Sequence, residues 1–200
     1  LSEVPRESAV HERLEKAAEA GENADFRTIV GSTGGNDRLA IIYDTTRLEF
    51  DSFEELHAIN VSGTVRSPLV AHFRGKTTGL EFLFVVNHLY RGSESGRHEQ
   101  SRLLNTWGKA QTLPVIAVGD FNYDWHFQNG DTDHDDGYDL LTKDGVFSWV
   151  RPSELVPTNA SSHKSVLDFV FVHGATAGWN LQSKILVVSG DFPDDELKSD

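Results

Sequence analysis

Val10, Leu14, Ala17 and Ala18 fall on one face of a 3.6-residue period, with Pro5 near the start of the stretch and Gly21 just past its end. That pattern predicts an amphipathic helix over 6–20. Strand-like runs follow at 26–30, 38–43, 47–58 and 68–74. The run "LEFLFVVNHL" (80–89) is apolar enough to be buried on both faces. Leu103, Leu104, Trp107 and Ala110 share one side of a second predicted helix, 95–111. A strand opens "LPVIAVGDFNYDW" (113–125), followed by an acidic loop at 128–137, a short helix at 138–143 and a short strand at 146–150. The last apolar runs are "SVLDFVFVHG" (165–174) and "SKILVVSG" (183–190).

Many strands with few helices predict layered sheets with helices outside them. No repeat, low-complexity tract or linker divides the chain, so the 200 residues read as a single domain, 1–200. Hydrophobic residues make up 38% and charged residues 24%, a globular composition. No apolar run approaches the roughly 18 residues of a membrane span, and no cationic-then-apolar leader is visible at the N-terminus. The absence of Cys excludes disulfides and thiolate chemistry. A formal charge of −13 argues against tight nonspecific binding to a polyanion through a broad basic face. A phosphate-bearing substrate stays compatible with it, because a bound divalent cation inverts the local field.

Three of the apolar runs carry polar groups where burial makes them costly. "FLFVVNHL" delivers Asn87 and His88, "PVIAVGDFN" delivers Asp120 and Asn122, and "SVLDFVFV" carries Asp168 near its start. Strand alternation puts Asp120 and Asn122 on one side and Phe121 on the other; the blander alternative is a strand followed by an Asx turn. Carboxylates, an amide and an imidazole converging from three strands suit hydrolysis at phosphorus. Carboxylate oxygens bind Mg²⁺, a carboxylate positions or deprotonates water, and an imidazole handles a proton or steadies phosphate oxygens.

These residues also carry a resemblance. "GDFN" after an apolar strand, "NHL" ending an earlier one, "LDFVFV" followed later by "SD", and the opening "LSEV" occur in the order of the motifs of the endonuclease/exonuclease/phosphatase superfamily. The resemblance implies the deoxyribonuclease-I-like fold: an α/β (α+β) four-layer sandwich of two packed mixed β-sheets flanked by helices. It implies a phosphoesterase dependent on Mg²⁺ or Mn²⁺, with a nuclease as the leading expectation and nucleic acid as the substrate. A phosphomonoesterase or a lipid-directed phosphodiesterase of the inositol phosphate or sphingomyelin type is the alternative. A third reading is an inactive member that binds a phosphorylated ligand or a protein. The chain is expected to act as a monomer.

Position by position, the resemblance makes Glu3 and Asp200 the metal-binding carboxylates. His88, Asp120, Asn122, Asp168 and Asp200 become the catalytic set, with Asn87 and Arg97 contacting substrate. The superfamily's opening strand and the histidine of its Ser-Asp-His motif are not in the 200 residues, and Ser2 stands where Gln is usual. The chain is therefore expected to be a fragment lacking a first and a last strand.

Other signals carry less. "DTDHDDG" (131–137) has Asp136 and Thr142 where a calcium-binding EF-hand loop needs Gly and Glu, so it reads as a solvated acidic loop. "GSTGGND" (31–37) lacks the Lys-Ser/Thr of a phosphate loop and reads as a hairpin turn. Ser95 is the expected helix cap after "YRG", and His163 a possible substrate contact ahead of the Asp168 strand.

Overall fold

The computed structural model describes residues 1, 3–6, 8–20, 24–35, 37–159, 164–176 and 178–186. The chain runs from β1 (Val4–Pro5) through helix α1 (Ser8–Glu19) to β2 (Phe26–Val30), β3 (Asp37–Arg38) and β4 (Ala40–Asp44). Strands β5 (Leu48–Glu55), β6 (Leu69–Gly75) and β7 (Glu81–His88) come next. Helix α2 (Glu94–Lys109) leads to β8 (Val115–Trp125), α3 (Gly137–Thr142), β9 (Ser148–Trp149) and β10 (Val166–His173).

One sheet carries six strands in the order β5-β6-β7-β8-β10-β9. β7 and β8 pair parallel, and the other neighbours pair antiparallel. Two smaller antiparallel pairs, β1 with β3 and β2 with β4, make up the opposing layer among the described residues.

The apolar run of β7 is continuous because both of its faces are covered. Val85 belongs to the cluster shared with Leu104 of α2, Leu141 of α3, Phe121, Phe147 and Phe171. Val86 belongs to the cluster shared with Ile29, Leu39 and Ile41 of the small sheets and with Leu69, Ala71 and Phe73 of β6. Each such side chain contributes about 1.5–3 kcal/mol when fully buried. With α1 lying on β2 and β1, the order of layers is helix, small sheets, large sheet, helices, as the α/β sandwich requires.

The link between β7 and β8 is a helical crossover, the usual way to join parallel neighbours. Ser93 rather than Ser95 caps α2, accepting a hydrogen bond from Gly96 N at 3.2 Å. Gln100 fastens the same turn, accepting from Tyr90 N (2.8 Å) and donating to Ile59 O (3.2 Å).

Two predicted strands differ in the structure. The run 38–43 is interrupted at Leu39, where Gly31 N bonds to the Leu39 carbonyl and the 31–39 connection folds in β3 to meet β1. The run 183–190 shows no strand over 183–186, and 187–190 lie outside the described residues. Among the described residues no helix is long and apolar enough to cross a membrane.

Candidate active site

Parallel pairing brings the carboxyl ends of β7 and β8 side by side, while antiparallel β10 begins at the same edge. The register sets His88 opposite Asp120 and Asp168 on the other side of Asp120. Directly paired residues project to one face, so the three side chains form a row across three strands. The row continues the face of Val86 and Val118, which the small sheets cover. Gly119 makes the close approach possible: it has φ +121°, and a Cβ there would lie 2.2 Å from the Asn87 carbonyl oxygen.

Glu3, just ahead of β1, joins the row from the opposing layer. Its Oε1 is 3.8 Å from His88 Nδ1, and His88 Nε2 is 4.0 Å from Asp120 Oδ2. His88 is 7% exposed. Asn122 sits beside them on a turn, with φ 54° instead of an extended value. Its N–H donates to Asp120 Oδ1 at 2.8 Å, and its Nδ2 donates to the Leu89 carbonyl at 2.9 Å. The strict alternation expected for Asp120 and Asn122 therefore ends at Phe121. The Asx turn that was the blander reading is present, and it is what fixes the Asp120 carboxylate.

Burial pushes the Asp120 carboxyl up to about 7, helped by the negative charges of Asp168 and Glu3. The Asn122 N–H and the Arg91 guanidinium oppose the rise without cancelling it. Desolvation also raises the Asp168 carboxyl above the usual carboxylate range, partly offset by a hydrogen bond from the Thr158 side chain. Thr158 Oγ1 in turn accepts from Leu167 N (2.8 Å) and Asp168 N (3.1 Å), which pins the start of β10.

This crowding of carboxyls is the environment a divalent cation relieves. Among the described residues no group of three or more His, Asp or Glu side chains converges into a cation cage. Mg²⁺ does not need one, since it takes one or two carboxylates and keeps several waters. Glu3, 46% exposed beside the buried His88, fits that role. Asp200, the second expected carboxylate, and His163 lie outside the described residues.

Two expected substrate contacts are placed elsewhere. Asn87 is fully buried on the opposite face of β7 from His88, with Nδ2 3.4 Å from the Val118 carbonyl. Arg97 is 7% exposed and turned inward, donating to Asp135 and, at 3.0 Å, to the Tyr90 carbonyl. It closes the turn ahead of α2 and is not available to a phosphate. The "DTDHDDG" loop supplies its partner: Asp135 also accepts from Gly137 N at 2.8 Å and contacts His98, and together these hold its carboxyl below the ordinary range against the opposing effect of burial.

Two other arginines flank the row: Arg91, noted in the sequence after "NHL" but set behind Arg97, and Arg66, which sequence reasoning passed over. Arg91 Nη1 donates to Asp124 Oδ2 at 2.5 Å, and Asp124 Oδ1 accepts from buried Ser165 at 2.9 Å. Arg66 Nη2 lies 4.0 Å from Glu3 Oε1 and 3.5 Å from Asp37 Oδ2. Arg91 follows closely on the end of β7 in the sequence, whereas Arg66 lies in no motif and only the fold brings it to the row.

No protein-family model matches the chain, and no curated protein is similar enough to match. Solved structures do match. An endonuclease/exonuclease/phosphatase family protein from Bacteroides thetaiotaomicron superposes with a TM-score of 0.56 at 24% identity, over 81% of this chain and 64% of that one. A mannosyl-6-phosphatase from the same organism gives 0.55 at 22% identity, over 82% and 68%. TDP2 of D. rerio complexed with a single-strand DNA product gives 0.63 at 18% identity, over 88% and 71%. The fold of this chain is the fold of these proteins, and the chain spans about two thirds of their length.

Proposed function

We propose that the chain is an endonuclease/exonuclease/phosphatase-type hydrolase that cleaves phosphate esters with the help of a divalent cation, a nucleic-acid phosphodiester being the first substrate class. The observation that carries this reading is the row of His88, Asp120 and Asp168, faced by Glu3 from the opposing layer. A purely structural strand end gains nothing from a 7% exposed imidazole set about 4 Å from each of two carboxyls, one of them raised by burial.

In this reading Asp120 aims and deprotonates the attacking water. A carboxyl held near neutrality is suited to accept a proton at physiological pH. Asn122 is a positioning residue: its N–H holds one Asp120 oxygen, and its carboxamide anchors the Leu89 carbonyl beside His88. His88 donates to the phosphate oxygens, with Glu3 Oε1 3.8 Å from its Nδ1. Mg²⁺ or Mn²⁺, held by Glu3 with Asp200 as the second proposed ligand, would supply positive charge to the phosphate oxygens and the leaving group.

The likeness to a TDP2 complexed with a DNA product supports a nucleic-acid ester. The mannosyl-6-phosphatase among the similar structures makes a phosphomonoester the second reading. With a net charge of −13, short or single-stranded ends suit the chain better than long duplex bound by a basic face. The test is hydrolysis by the full-length protein of single-stranded DNA, plasmid DNA, RNA, inositol phosphates and bis(p-nitrophenyl) phosphate, with Mg²⁺ and with excess chelator. Cleavage of at least one ester that chelator abolishes is the expected result. No cleavage of any of them, or cleavage indifferent to chelator, would refute the proposal.

A further inference from the structure

The Gly-rich stretch 31–37, read from the sequence as a plain hairpin turn, does more than reverse the chain. Glu55 at the end of β5 holds it from below. Its carboxylate accepts from Ser32 N (2.9 Å), from the Ser32 hydroxyl, from Thr33 N (3.0 Å) and from Thr33 Oγ1 (2.6 Å). Burial would raise the Glu55 carboxyl, but these four donors outweigh it and hold it below its ordinary value. Thr33 Oγ1 then accepts from Ser67 N at 2.9 Å, so the clamped turn fixes the backbone next to Arg66.

The Arg66 side chain crosses the same turn. A Cβ at Gly34 would lie 2.8 Å from Arg66 Cγ and 2.6 Å from the Asp37 carbonyl, and Gly34 has φ +94°. Only glycine leaves room for the stem there. The crossing delivers the guanidinium to Glu3, whose Oε1 is 4.0 Å from Arg66 Nη2 and 3.8 Å from His88 Nδ1.

What the guanidinium does on arrival is the informative point. The Arg66 side chain is only 17% exposed, yet its contacts with Glu3 (4.0 Å) and Asp37 (3.5 Å) are too long or too marginal for good hydrogen bonds. Its Nε is buried and has no hydrogen-bond partner among the described residues. A largely buried guanidinium with unfilled donors is costly unless an acceptor arrives. Among the described residues Arg97 also has an unpartnered Nε, but its terminal nitrogens are tied to a carboxylate and a carbonyl, which those of Arg66 are not.

We propose that Arg66 is a substrate-binding residue that holds two oxygens of the scissile phosphate through its planar fork, on the Glu3 side of the row. The Glu55-clamped turn pre-organises it. This rests on the phosphoesterase reading and adds to it the residue that captures the phosphate. A fork with two N–H groups matches phosphate oxygens in a way a lysine cannot. Asp37, 3.5 Å away, competes with the phosphate for the same group.

Two readouts test the inference: inorganic phosphate binding by calorimetry in the presence of Mg²⁺, and KM and kcat on bis(p-nitrophenyl) phosphate. Arg66→Gln should weaken phosphate binding and raise KM by about tenfold to a hundredfold, the worth of a charge-assisted contact. Arg66→Lys should recover only part of the loss. Asp37→Asn leaves the arginine in place and removes its competitor, so it should tighten phosphate binding several-fold, a gain that misfolding cannot mimic. Unchanged phosphate affinity in both Arg66→Gln and Asp37→Asn, in an active enzyme, overturns the role of Arg66 and leaves the phosphoesterase reading standing. A wild-type protein that neither binds phosphate nor cleaves any ester overturns both.

Discussion

Asp120→Asn should make the metal-free protein more stable at alkaline pH, although it removes a charged group from the proposed active site. The Asp120 side chain is 19% exposed and its carboxyl is pushed from 3.8 up to about 7. Ionising it in the folded chain therefore costs about 4 kcal/mol more than in the unfolded chain. The folded state keeps its proton to higher pH than the unfolded state does. Stability from this group is thus fully present below about pH 4, falls as pH rises towards about 7, and stays low above that. The carboxamide resembles the protonated acid and never ionises, so it avoids the loss. In chelator, the variant and the wild type should melt together near pH 4, and the variant should melt higher at pH 8 by as much as about 8–16 °C. Thermal melts across that range, read as the difference between the two proteins, isolate this group from every other titration. A difference that does not change with pH, or a variant less stable than wild type at pH 8, would refute the account of the buried row.

Gly119→Ala should destabilise by about 2–5 kcal/mol, since it adds a left-handed backbone penalty to a 2.2 Å clash with the Asn87 carbonyl; denaturant unfolding reads it directly. Asp135→Ala should cost about 3–5 kcal/mol by stranding the buried Arg97 guanidinium, while leaving the KM of the folded enzyme unchanged. A raised KM with unchanged stability would instead return Arg97 to the substrate site.

The elements were legible where periodicity was long and strong. The helix over 95–111 and the strands at 68–74, 80–89 and 165–174 follow from apolar spacing that the two hydrophobic clusters then use. The row of His88, Asp120 and Asp168 was legible because burial makes polar groups at the ends of apolar strands expensive. Their mutual register was not legible, because it depends on the parallel pairing of β7 with β8 across a helix. Arg97 could not be assigned from its neighbourhood in the sequence: its partner Asp135 lies 38 residues away in a loop that resembled a solvated acidic tract. Asn87 shows the opposite case. Alternation already put it on the face away from His88, and proximity in "NHL" outweighed that period. Asn122 departed from the strand pattern because a positive φ and an Asx bond ended the alternation one residue early.

The central claim is that Asp120 handles the water in a metal-assisted hydrolysis. Turnover of the best ester by the full-length protein in Mg²⁺, compared with a folded Asp120→Ala variant, tests it most directly. The account predicts a fall of at least about a hundredfold in kcat, the usual worth of a positioned general base, with the melting transition retained. Wild-type turnover in that variant would contradict it.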